Sequence, residues 1–321
     1  MILYLINYFY KFCGEDEYQK NRFIKEPPYI YCEIFLKKSI DNIYEKINTS
    51  LQNYFMNRWP TINNIFSYKE VNNLIPDKKN ILEIYKKENK LFCYFDHRYF
   101  SGYYFILFAE NLFNIKAKDV KDELYIPFLS EYYIIKFIYY YLSLPKIEKL
   151  PLVENKDSIR RENFNFDITQ IKYLYNNSTT KISKKYYVIY HILTYIYNKL
   201  NFTRAMRVLI PVAFKTTSTR YNNVGCVIID FEKQSITKFV NQIEKLEYQA
   251  HATHLLQRFL NYSKQTRSSV DIVLSLGYFY FDNDIVDNFY ITYENIADYP
   301  IYCISITFNN KVYSTITYMN K

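Results

Sequence analysis

Apolar residues along this chain fall into short runs and into stripes spaced about four residues apart, the marks of strands and helices. Tyr29–Leu36 reads as a strand. Ile43, Ile47, Leu51 and Phe55 recur every four residues, the stripe of an amphipathic helix that Pro60 stops. Ile81–Tyr85 and Leu91–Phe95 flank Lys86–Lys90 as a hairpin-like pair. Tyr103–Phe113 is apolar on nearly every face, as a helix buried against a sheet is, and Ser101 is a good N-cap for it. A further helix is expected at Glu131–Leu144.

Pro145, Pro151 and a dense mixture of charges make Lys146–Glu162 the best candidate boundary, giving lobes at 1–150 and 151–321. The second half opens with Asp167–Tyr173, followed by a helix from about Lys184 to Leu200 and strands at Met206–Ala213 and Val224–Phe231. Ser235–Tyr262 is the longest helical stretch. Strands at Val270–Leu276 and Phe289–Glu294 precede a hairpin, Cys303–Phe308 and Val312–Tyr318, that turns at Asn309-Asn310. Both halves mix strands and helices, which implies α/β or α+β layers with sheets covered by helices.

Composition narrows the class. With 49% apolar and 23% charged residues in 321, the chain can bury a sizeable core and is not a disordered polymer. Tyr 38 and Phe 25 raise the aromatic share to 20%, beside only 4 Gly. Together with abundant Ile, Asn and Lys this reads as AT-rich coding, such as that of a large DNA virus, before it reads as an aromatic binding surface. Met1–Tyr10 and Tyr132–Leu144 are shorter than the roughly 20 apolar residues of a spanning helix, and Met1–Tyr10 lacks the flanks of a secretory signal, so no membrane span is expected. Cys13, Cys32, Cys93, Cys226 and Cys303 form no CxxC pair, which suits reduced core thiols in a cytoplasmic protein. The net charge of +9 is scattered over doublets such as Lys37-Lys38, Lys86-Lys87, Arg160-Arg161 and Lys184-Lys185, which argues against a nucleic-acid groove.

Four histidines are the candidates for chemistry. His191 lies among Val188, Ile192, Leu193 and Ile196, where a core histidine is expected. His251 and His254 are three apart on a helix but have no evident third ligand, so no metal site is expected. His97 stands in a loop between a buried strand and a buried helix, where a neutral imidazole can act as a general base.

Asp96-His97-Arg98-Tyr99-Phe100-Ser101-Gly102 resembles the HHxxxDG or DHRxxDG motif of the chloramphenicol acetyltransferase-like, coenzyme A-dependent acyltransferases. Its place in the first third of the chain is similar to that in the two-lobed branch, which holds condensation domains and wax ester synthase/diacylglycerol acyltransferases. Arg207-Val-Leu-Ile-Pro211 with Asn222-Asn223-Val224-Gly225 resembles that branch's "vPvslR…GN" strand and turn, Val273-Leu-Ser275-Leu-Gly277 its "SNvpG" segment, and the last hairpin its closing strands.

The resemblance implies two related lobes, each a mixed sheet with helices, meeting in a V around a tunnel. His97 is then the base that takes a proton from a hydroxyl, amine or thiol as it attacks an acyl thioester, with Asp96, Arg98, Ser101 and Gly102 supporting the motif. Ser275, Thr216, Thr217 or Ser218 is the candidate donor to the oxyanion. No tightly bound cofactor is implied; a coenzyme A or carrier thioester is the co-substrate, the acceptor is unspecified, and a monomer is expected. Two departures stand out: the family aspartate is Ser101 here, and the second-lobe anchors read Gly225-Cys226 and Ser275-Leu276. They leave open a second reading, a catalytically silent relative that binds a protein partner.

Overall fold

The computed structural model of the chain describes residues 29–48, 66–96, 102–113, 127–147, 150, 159–175, 182–213, 224–256, 270–278, 285–293, 300–308 and 310–319. The first half contains β1 (Tyr29–Leu36), α1 (Ile43–Ile47), β2 (Phe66–Glu70), β3 (Leu82–Lys87), β4 (Lys90–Asp96), α2 (Gly102–Phe113) and α3 (Pro127–Ser143). After it come β5 (Ile159–Asp167), α4 (Ile168–Tyr175), α5 (Lys184–Lys199), β6 (Met206–Ala213) and β7 (Val224–Phe231). The chain closes with α6 (Ile236–Leu246), α7 (Tyr248–Leu256), β8 (Ile272–Tyr278), β9 (Val286–Tyr293), β10 (Ile301–Phe308) and β11 (Lys311–Met319).

These strands build two mixed sheets, one ordered β2-β3-β4-β1-β9 and the other β5-β11-β10-β8-β6-β7. In the first, Ile30, Cys32, Ile34 and Leu36 alternate towards the core, as period-two patterning requires, and meet Leu91, Cys93 and Phe95 of β4. Phe105, Phe108, Ala109, Leu112 and Phe113 of α2 cover that face. The opposite face carries Tyr29, Tyr85 and Tyr94, against which Val71 and Leu74 pack. Cys32 and Cys93 are register partners across β1 and β4, and the cysteines at 32, 93, 226 and 303 are buried thiols.

Residues 77–80, just before β3, wrap around one carboxylate. Glu83 is buried and accepts from the backbone N–H groups of Lys78 (3.0 Å), Lys79 (2.8 Å) and Asn80 (3.2 Å), from the Asn80 amide (3.2 Å) and from the Tyr85 hydroxyl (2.7 Å). Burial by itself raises its pKa, but these donors outweigh it and hold the group below the ordinary 4.5.

The second sheet is covered by α4, α5 and α6, whose apolar faces (Ile168, Ile171; Val188, Ile192, Ile196; Phe239, Val240, Ile243) enclose a core with Val208, Ile229, Leu274 and Ile316. Two arginine–aspartate pairs tie the start of β6 to the end of β7 and to the residue before β8. Asp271 accepts two bonds of 2.7 Å from Arg204 and one of 2.9 Å from the Arg207 N–H. The Arg207 guanidinium grips Asp230 (2.6 and 2.8 Å) and reaches the Pro145 carbonyl at 2.9 Å. Bidentate geometry of this kind matches the guanidinium fork to the carboxylate.

Strand β7 is an edge, and its outward polar groups are taken by helix side chains. Cys226 donates its N–H to Thr253 (2.6 Å) and accepts from the same hydroxyl (2.9 Å). Ile228 donates to Gln249 Oε1 (2.8 Å) and accepts from Tyr140 (3.2 Å), and Asp230 accepts from Gln242 Nε2 (3.1 Å). Three helices thus stand where a further strand would pair, which closes an edge that is otherwise a template for aggregation. Only a glycine permits so close an approach: a Cβ on Gly225 would lie 1.8 Å from the Ala250 carbonyl oxygen.

Two expectations need correction. The charged residues Arg160–Glu162 are not connecting chain but the start of β5, whose Phe164 and Phe166 face α5, stacking on Tyr195 (4.3 Å between ring centroids) and meeting His191 edge-on (4.6 Å). Charge hid the alternation, and an edge strand is where charge is tolerated. Ser235–Tyr262 is not one helix. Ser235 caps α6, but the chain turns at Glu247, whose N–H bonds Glu244 O at 3.4 Å, because α6 must face the sheet while α7 must lie along the β7 edge.

Two outcomes test this account. Gly225→Ala should lose about 3 kcal/mol or more in urea unfolding, as a methyl forced into backbone does, and wild-type stability would refute the close approach. Because the Glu83 pKa is depressed in the folded state, its contribution is present above 4.5 and is lost as pH falls through the folded value. The urea unfolding midpoint of Glu83→Gln should therefore change less between pH 5 and pH 3 than that of the wild type, while its stability at neutral pH drops by about 3 kcal/mol.

Candidate functional site

The DHR motif begins where β4 ends. Phe95 is fixed by edge-on contacts with Phe105 (5.4 Å) and Phe108 (5.1 Å) of α2, so the strand before the motif and the helix after it are clamped together. Asp96 is buried, donates its N–H to Ile81 O at 2.8 Å and pairs in register with Tyr29. Gly102 opens α2. His97, Arg98 and Ser101 lie outside the described residues, as do Thr216, Thr217 and Ser218, which belong to the connection between β6 and β7.

Across the sheet the end of β4 has a specific neighbourhood. Ile30 pairs with Phe95 on one side and with Tyr293 on the other, so the last residue of β9 stands two strands from Phe95, about 10 Å at normal strand spacing. β4 and β9 are both antiparallel to β1 and therefore finish at the same edge of the sheet. The side chain of Ser275, from β8 of the second sheet, lies beside Tyr293. Burial raises the Tyr293 pKa to about 12, with the Ser275 contact acting in the opposite direction. One sequence-selected residue, Ser275, is thus brought to the edge of the first sheet where β4 ends and the DHR motif starts.

The lobes meet along β9. Thr292 and Thr317 share a hydrogen bond of 3.1 Å, Tyr313 donates to the Asp287 carbonyl (3.2 Å), and the Tyr293 and Tyr302 rings lie 4.7 Å apart. Ile304, Ile306 and Tyr313 of the second sheet enter the same core as Phe289, Ile291 and the α2 phenylalanines. Tyr293, Thr292 and Tyr302 escaped the sequence reading: in a chain with 38 tyrosines no pattern marks one of them, and nothing local says that β9 pairs with β1.

Burial lowers the pKa of His191, which sits against Phe166. Among the described residues no group of three His, Cys, Asp or Glu side chains could hold a metal ion, and no helix is long and apolar enough to cross a membrane.

No protein-family model and no curated protein matches the sequence. Solved structures match it in fold. Polyketide synthase associated protein 5 from Mycobacterium tuberculosis is 9% identical and superposes with a TM-score of 0.57 over 96% of this chain and 92% of its own. VibH, a condensation enzyme of nonribosomal peptide synthesis, gives 10% identity and 0.54 over 96% and 89%. The starter condensation domain of rhizomide synthetase RzmA gives 9% and 0.51 over 95% and 88%. With its two mixed sheets, its covering helices and these neighbours, the chain has the two-lobed, chloramphenicol acetyltransferase-like fold of condensation domains.

Proposed function

We propose that this protein is an acyltransferase of that fold, moving an acyl group from a coenzyme A or carrier-protein thioester to a hydroxyl, amine or thiol. The observation that carries the reading is the convergence at the lobe junction: the DHR motif leaves β4 at the same sheet edge where Tyr293 of one lobe meets Ser275 of the other. VibH, similar in fold, is by its description a condensation enzyme.

In this reading His97 accepts the acceptor's proton as its oxygen, nitrogen or sulfur attacks the thioester carbonyl. The tetrahedral oxyanion is met by the Ser275 hydroxyl. Collapse of the intermediate breaks the C–S bond, and the imidazolium returns its proton to the departing thiolate, so no covalent enzyme intermediate forms. Ser101 in place of the family aspartate removes one charge from the loop and leaves the base itself intact.

A catalytically silent relative that binds a protein is the second reading, favoured by the Tyr293–Tyr302 ring contact, which places aromatic bulk at the junction. Thiol release from short- and long-chain acyl-CoA separates the two. An active enzyme should lose roughly 10²–10⁴-fold in kcat on His97→Ala and roughly 10²-fold on Ser275→Ala. Its rate should rise with pH as the histidine base loses its proton. No release from any thioester, together with a melting temperature unmoved by coenzyme A, rejects the enzyme and leaves the binding protein.

A further inference from the structure

Helix α3 is apolar on two opposite faces. Its inner face lies on α7 and the β7 edge: Phe137 is fully buried with Ile228 and Ala252, and Tyr133, Ile134, Tyr141 and Leu144 pack around them. Its outer face carries Tyr132, Ile135, Ile138, Tyr139 and Leu142, each 44–77% exposed. A helix that is apolar all round is a buried helix, and here one side has no cover among the described residues.

We infer that this outer face is a homodimer interface in which α3 packs against α3 of a second copy. The spacing of Tyr132, Ile135, Tyr139 and Leu142 is three, four, three, the a and d positions of two heptads, with Ile138 beside them. Such a seam is narrow and shaped for a facing helix, whereas a bilayer requires only a broad apolar face. None of the five residues is charged, so the net +9 places no like charges in the seam. Lys136 is the cation on this part of the helix, and its Nζ is turned over the Tyr248 ring at 4.3 Å.

The area also fits. The five side chains expose on the order of 600 Å² per subunit, so a two-fold pairing would bury about 1,200 Å², the lower end of specific interfaces, and an open patch of this size is at the upper end of what a monomer exposes. An isologous two-fold contact needs the same stripe on both copies, which one helix supplies to its twin.

Light scattering on the eluting full chain tests this. Across the micromolar range the wild type should pass from 39.1 kDa to twice that mass. Ile135→Glu with Leu142→Glu should remain at 39.1 kDa while keeping its circular dichroism and melting temperature, because both positions are exposed in the single chain. A milder variant, Leu142→Ser, should weaken the dimer at least tenfold without touching the fold. A wild type that stays monomeric overturns the inference, including one that instead floats with anionic phosphatidylserine vesicles. So does a dimer that the double variant leaves intact.

Discussion

Strand β9 joins the first sheet by pairing with β1 from Ile30 to Leu36, although it comes from near the other end of the chain. This pairing is what makes two sheets into one molecule. Closing so long a loop costs only slowly more with length, and the return is the burial of Val286, Phe289 and Ile291 beside α2. Because β9 then lies against β10 and β11, a sheet of one lobe and a sheet of the other share a core, and their relative position follows from side chains rather than from a linker. The hydroxyl pair Thr292–Thr317 and the tyrosines at 293, 302 and 313 sit on this joint.

The remaining edges of the fold are treated in different ways. β9 finds its cover in the second lobe. β7 is saturated by Thr253, Gln249, Tyr140 and Gln242, which requires the backbone contact at Gly225 and ties α3, α6 and α7 to one strand. β5 carries Arg160, Arg161 and Glu162 and pairs only with β11. The β7 arrangement has a consequence on the far side of α3. Once Tyr140 and Phe137 are committed inward, the helix turns Tyr132, Ile135, Tyr139 and Leu142 outward.

The functional reading rests on the same joint. The end of β4 and the first turns of α2, on either side of the motif, are packed together by Phe95, Phe105 and Phe108, and Ser275 of the second sheet lies beside Tyr293 at the end of β9.

Much of this was legible in the chain. Tyr29–Leu36, Met206–Ala213 and Val224–Phe231 are strands with the ends their apolar runs indicate, α2 and α5 follow their apolar faces, and the last hairpin turns through Asn310, which takes the left-handed conformation asparagine tolerates (φ 60°). The strand and the helix that flank the DHR motif were legible too, because both are local. The sequence could not show β2, a short, partly buried strand that exists through parallel pairing with β3, nor β5, whose charges mask its alternation. Nor could it show the break at Glu247, which arises because neighbouring helices serve different surfaces. Local patterning determines which residues prefer strand or helix and which face is apolar. Which strands become neighbours, that Tyr293 rather than another tyrosine meets Ser275, and which apolar face of α3 stays open are decided only by tertiary packing, since they depend on partners far away in the chain.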